Sequence, residues 1–89
     1  MKPKFFCVLA ELYEGRYNGT KQGVQERICK EKPKNQYRQQ EGMAAFKIWY
    51  TSEADANALC EEVRTGDVGI DNLIGLCKYG NFAVSEKAA

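Results

Sequence analysis

Between Arg27 and Arg38 the chain sets five cations, Arg27, Lys30, Lys32, Lys34 and Arg38, within twelve residues. Tyr37 and the amides Asn35, Gln36, Gln39 and Gln40 are interleaved with them. Arginine and lysine hold phosphate oxygens, amides donate to and accept from bases or sugars, and an exposed tyrosine ring stacks. Segment 27–38 is therefore the first candidate binding surface, set against the plain alternative of a solvated, charged loop. Trp49 is the second. On an open sheet face an indole anchors a partner, because tryptophan is enriched at binding hot spots; under a covering layer it is core.

Catalytic chemistry is harder to assemble. The chain has no histidine, which removes Ser-His and Cys-His nucleophile pairs and every histidine-containing metal site. Glu61 and Glu62 point about 100° apart on a helix. Asp55 and Glu62 share a helix face, roughly 10 Å apart along the axis, but it is the polar face, where solvated carboxylates are the ordinary case. Glu11 interrupts an apolar strand face, and burial would raise its pKa; a strand end reaching solvent explains it as well. Cys7, Cys29, Cys60 and Cys77 are evenly spread, without the close pairs of a structural zinc site. Gly15, Gly19 and Gly23 recur regularly but lack the Lys-Ser/Thr of a phosphate loop. The expectation is no catalytic group, no cofactor and no metal.

The 89 residues make one domain, 1–89, of ordinary globular composition, 44% apolar and 28% charged. The net charge is +1, but residues 1–40 hold nine Lys/Arg against four Asp/Glu, and residues 41–89 four against eight. A fold that separates these halves would carry one basic and one acidic face. The apolar run Phe5 to Ala10 is shorter than the roughly 7–15 residues of a secretory core. No stretch reaches the roughly 18–20 apolar residues of a membrane span. The expectation is a cytoplasmic protein with free, buried thiols rather than disulfides.

The candidate residues must be positioned by a few elements. In Ala44 to Tyr50, Phe46, Ile48 and Tyr50 alternate with Lys47 and Trp49, a strand with one apolar face. Ser52 then serves as N-cap, with Asp55 three residues on. Ala56, Leu59, Cys60 and Val63 make an apolar helix stripe, and Gly66 is placed to cap its C-terminus. Phe5 to Leu12 is apolar on both faces and reads as a central strand covered on both sides. Asn18-Gly19 signals a type I′ hairpin turn, which would set Tyr13 against Val24, Leu9 against Ile28 and Glu11 against Glu26. Residues 20–31 read as a strand on that signal; read as a helix, they would give a ferredoxin-like β-α-β-β-α-β order. Lys34 to Gly42 reads as a loop leading to the Ala44 strand. Asn72 to Val84 reads as one or two short strands turning at Gly80-Asn81.

These elements predict an α+β domain: an antiparallel sheet of three to five strands with one main helix, about 53–65, on one face. The leading functional expectation is a non-enzymatic interaction or inhibitor protein that docks on a larger protein or nucleoprotein complex. Its contacts would come from Arg27, Lys30, Lys32, Lys34, Tyr37, Arg38 and Trp49. In size and character, though by no shared motif, the chain resembles the anti-CRISPR proteins with which phages block host nucleic-acid machines. The alternative is direct binding of single-stranded DNA or RNA through segment 27–38 and sheet aromatics. No membrane partner is expected, and a homodimer is left open.

Overall fold

The computed structural model of the protein describes residues 2–17 and 23–80. Five strands precede two helices: β1 (Lys4–Tyr13), β2 (Arg16–Tyr17), β3 (Val24–Ile28), β4 (Gln36–Gln40), β5 (Met43–Tyr50), α1 (Glu53–Thr65) and α2 (Ile70–Tyr79). The strands form one antiparallel sheet in the order β2-β1-β5-β4, with β3 also pairing β1. The protein is thus an α+β domain, with five strands and a second helix beside the expected one.

Strand β1 is central because its sequence is apolar on both faces. Its partner β5 runs beside it for eight residues, from Phe6 opposite Tyr50 to Tyr13 opposite Met43. On one face Phe6, Val8, Ala10 and Leu12 lie beside Ala44, Phe46, Ile48 and Tyr50. Against them pack Ala56, Leu59 and Val63 of α1, Val68 of the connection, and Leu73 and Leu76 of α2. That is the main core. The other face carries a smaller cluster of Phe5, Cys7 and Trp49, with Leu9 and Cys29 packed beside it.

Helix α1 begins and ends as its sequence implies. Ser52 Oγ accepts the Asp55 N–H at 3.3 Å, satisfying one of the donors that a helix start leaves open. Gly66 takes φ +89°, and its N–H turns back onto the last-turn carbonyls, a conformation that glycine adopts without a Cβ penalty.

Three expectations are corrected. The first hairpin turns at Glu14-Gly15, not at Asn18-Gly19. Both turn residues have positive φ, +52° and +82°, as a type I′ turn requires. Across that turn Leu12 faces Tyr17, and in the separate pairing with β3 Val8 faces Val24 and Lys4 faces Ile28. Glu26 faces Phe6 rather than Glu11, so no like-charge pair arises. Asn18 and Gly19 lie outside the described residues. Segment 24–28 is a strand, as expected.

The second correction is β4. The polar stretch Gln36–Gln40 is an edge strand, closed onto β5 by a turn at Glu41-Gly42. The Glu14 N–H donates to the Gly42 carbonyl at 2.8 Å, so the two hairpin turns are joined. The third is α2. Ile70, Leu73, Ile74 and Cys77 recur at helical rather than strand spacing, and the Asn72 side chain caps the Gly69 N–H at 3.3 Å. The turn expected at Gly80-Asn81 is replaced by the helix end at Tyr79, and residues 81–84 lie outside the described residues.

The burial of α2 sets a test. Leu73 is fully buried and Tyr79 is 86% exposed. Leu73→Ala should lower unfolding stability by about 2–5 kcal/mol, and Tyr79→Ala should shift it by no more than about 0.5 kcal/mol. Urea unfolding followed by circular dichroism measures both; comparable losses would mean that residues 70–79 do not pack as described.

Candidate functional site

The site lies on the sheet face opposite the helices. Because strand residues alternate between faces, Leu9, Glu11, Ala45, Lys47, Gln36 and Arg38 share this side. The register aligns them in two rows. Leu9, Lys47 and Gln36 form one, and Glu11, Ala45 and Arg38 the other. Ala45 is the small central member of its row, so the longer chains on either side stand above it. The result is a shallow trough of about 540 Å³ lined by these side chains and the backbone beneath them. Among the described residues no helix packs on this face.

On the same face, two residues beyond Lys47 along β5, Trp49 packs with Phe5 and Cys7. Its indole is only 7% exposed, so it belongs to the core alternative. Arg27, on β3, lies over the ring with its guanidinium carbon 5.5 Å from the ring centroid. The quadrupole of the indole face attracts that cation, which fixes a flat, charged group above the apolar cluster. The two sites read separately from sequence, Arg27 and Trp49, are thus brought into contact as a cation–π pair.

Beyond Ile28 the chain crosses from one edge of the sheet to the other through residues 29–35, a short strap. It is held at both ends. Near its start the Cys29 N–H donates to the Pro3 carbonyl at 3.2 Å. At its end Asn35 Oδ1 accepts the Trp49 N–H at 2.7 Å, and Asn35 Nδ2 donates to the Leu76 carbonyl at 3.1 Å. One amide therefore ties the strap to both β5 and α2. Lys30, Lys32 and Lys34 project from this strap and are exposed.

The structure brings Arg27 and Arg38 to the open face and leaves Lys30, Lys32 and Lys34 exposed on the strap. Tyr37 is separated from them. It points to the helix side of the sheet, where its ring stacks on Phe46 with centroids 5.9 Å apart and planes at 21°. Lys47, Gln36 and Glu11 complete the trough. Lys47 was visible only as a polar residue in an alternating strand, and Asn35 gave no sequence signal because its partners lie 14 and 41 residues away.

Burial pushes the Cys7 thiol up to about 11, outweighing the pull of Lys47 and Arg27, so it is protonated at neutral pH rather than a nucleophilic thiolate. On the helix side burial, reinforced by the carboxylates of Asp55 and Glu62, pushes Tyr50 up to about 12. The hydrogen bond from Arg64 holds Glu61 below the usual carboxylate range on an exposed helix surface. All four cysteines are unbridged; Cys7 is buried and the others are half-buried. Among the described residues no group of carboxylates and thiols is arranged to hold a metal ion, and no helix is long and apolar enough to cross a membrane.

Charge is segregated by layer. Residues 2–17 and 23–50, which hold the sheet and strap, carry nine Lys/Arg against five Asp/Glu. Residues 51–80, which hold the helices, carry two against six. The sheet layer is thus +4 and the helix layer −4. Compared with protein-family models, curated proteins and solved structures, the chain gives no match.

The strap's anchor can be tested directly. Asn35→Ala leaves the Trp49 N–H without its acceptor, which should cost about 1–3 kcal/mol. Hydrogen exchange at the Trp49 amide should accelerate with it. An unchanged Trp49 exchange rate in the variant would contradict the pinning role.

Proposed function

We propose that the protein is a non-enzymatic docking module whose working surface is the open sheet face together with the strap 29–35. The observation that carries this reading is the segregation of charge onto opposite layers. Arg27, Arg38 and Lys47 stand on one face with Lys30, Lys32 and Lys34 exposed on the strap, and Glu53, Glu61, Glu62, Asp67 and Asp71 belong to the helix layer. A surface of one sign steers an oppositely charged partner and suppresses wrong orientations. The partner is therefore anionic and large enough to span the face, as a nucleic acid, a nucleoprotein or an acidic protein surface would be. Occupying such a partner's working surface is how so small a chain would block a larger machine. The absence of histidine and the raised thiol of Cys7 fit a role in binding rather than turnover.

Affinity capture with tagged protein in an extract of the native host tests this. The wild type and a Lys78→Ala control on the helix layer should retain the same partner. A triple variant, Arg27→Ala, Arg38→Ala and Lys47→Ala, should lose it. Capture indifferent to the three substitutions would show that this face is not the working surface.

A further inference from the structure

We infer that the anionic partner is a single nucleic-acid strand, lying diagonally across the open face from Arg27 over Lys47 to Arg38. The inference rests on the docking reading above and specifies the chemistry of its partner. The register fixes the path. Arg27 stands opposite Phe5, Lys47 opposite Leu9, and Arg38 opposite Ala45, which itself faces Glu11. With about 3.3 Å per residue along a strand and about 4.8 Å between strands, the line measures roughly 20–25 Å. That length accommodates a few nucleotides, and Lys30, Lys32 and Lys34, exposed on the strap that follows β3, add positive charge.

What the face lacks decides between a nucleic acid and an acidic protein. Protein interfaces centre on large apolar anchors that become fully desolvated. The large apolar side chains exposed among the described residues are Tyr13, Ile28, Tyr37 and Tyr79. Of these only Tyr13 shares the open face, and the indole that would have served as anchor is buried. A polar, strongly basic surface over a narrow apolar floor is instead the character of nucleic-acid interfaces. Arg27 supplies more than charge. Its guanidinium lies over Trp49, and a guanidinium plane is a surface on which a base can stack. Gln36 provides an amide that donates and accepts along the trough wall.

A single strand fits better than a duplex. The trough is shallow, and among the described residues no helix or ribbon projects from this face to enter a major groove. Unstacked bases reach the floor at Leu9 and Ala45 only when they are not paired. Glu11 is the one carboxylate lining the trough. It opposes phosphate, and it accepts a hydrogen bond from the exocyclic amine of cytosine.

Fluorescence anisotropy with 5′-labelled 12-nucleotide single strands, one oligo-dT and one oligo-dC, tests the inference against a labelled hairpin duplex. The full chain should bind both single strands more tightly than the duplex. Affinity should fall with a log–log salt slope of about −2, as roughly three phosphate contacts imply. The triple variant Arg27→Ala, Arg38→Ala and Lys47→Ala should bind about tenfold or more weakly, with a flatter slope. Glu11→Gln should strengthen oligo-dT binding more than oligo-dC binding, a readout that a general loss of folding would not produce. Absence of single-strand binding at low salt, equal binding of the duplex, or binding indifferent to the triple substitution would overturn the inference. If the strands fail to bind while nuclease-treated extract still yields a partner sensitive to the same substitutions, the docking surface stands and its occupant is an acidic protein. If that capture is indifferent too, both readings fall.

Discussion

The structure follows from the pairing of β1, apolar on both sides, with β5, which buries side chains on both faces of the sheet. Val8 and Ile48 are buried on one face of the β1–β5 pair, and Cys7 and Trp49 on the other. Among the described residues two short helices are available, and both are used on one face. The second face has to be closed by side chains and a strap instead. Arg27 lies over Trp49, Cys29 packs beside Phe5 and Cys7, and Asn35 fastens the strap to the β5 backbone. Long cationic side chains cover apolar surface with their stems and leave their charged ends in water. The basic face and the closure of the second apolar face thus have one physical origin.

This arrangement anchors the backbone of the site where it is most charged. Its cations rise from paired strands and from a strap held at both ends. A surface ordered before binding loses less conformational entropy when a partner arrives. The trough exists because Ala45 is small where its neighbours across the sheet, Glu11 and Arg38, are long. A larger residue at Ala45 would fill the floor without touching the main core, since the trough and the Leu59–Leu73 packing lie on opposite sides of β5.

How far the fold could be read beforehand varied with the kind of signal. Strand β5 and helix α1 were legible because alternation, a serine cap and a terminal glycine agree locally. The central place of β1 was legible from its two apolar faces. Helix α2 reads as strands from sequence because two apolar runs flank the turn signal Gly80-Asn81, which outweighs the i, i+3, i+4, i+7 spacing of Ile70, Leu73, Ile74 and Cys77. Strand β4 carries no apolar alternation at all, being a polar edge strand; its only cue was the Glu-Gly pair before Met43. The same pair at Glu14-Gly15 makes the first hairpin, which the stronger intrinsic preference of Asn-Gly had obscured. Of the site, the basic run was legible and its assembly was not. Lys47 joins Arg38 only through the β4–β5 register, Tyr37 leaves the cluster by strand parity, and Asn35 bonds to residues far along the chain.

The sheet and helix layers carry opposite net charge, with the positive side over the open sheet face. Paramagnetic relaxation of backbone amide protons by small soluble probes of opposite charge measures this most directly. At low salt an anionic probe should broaden the exposed residues of the sheet face and strap, Lys47, Arg38 and Lys32 among them, more than a cationic probe does. The order should reverse over α1 and α2, and the contrast should fade as salt is added. Equal broadening of both layers by the two probes would contradict the account.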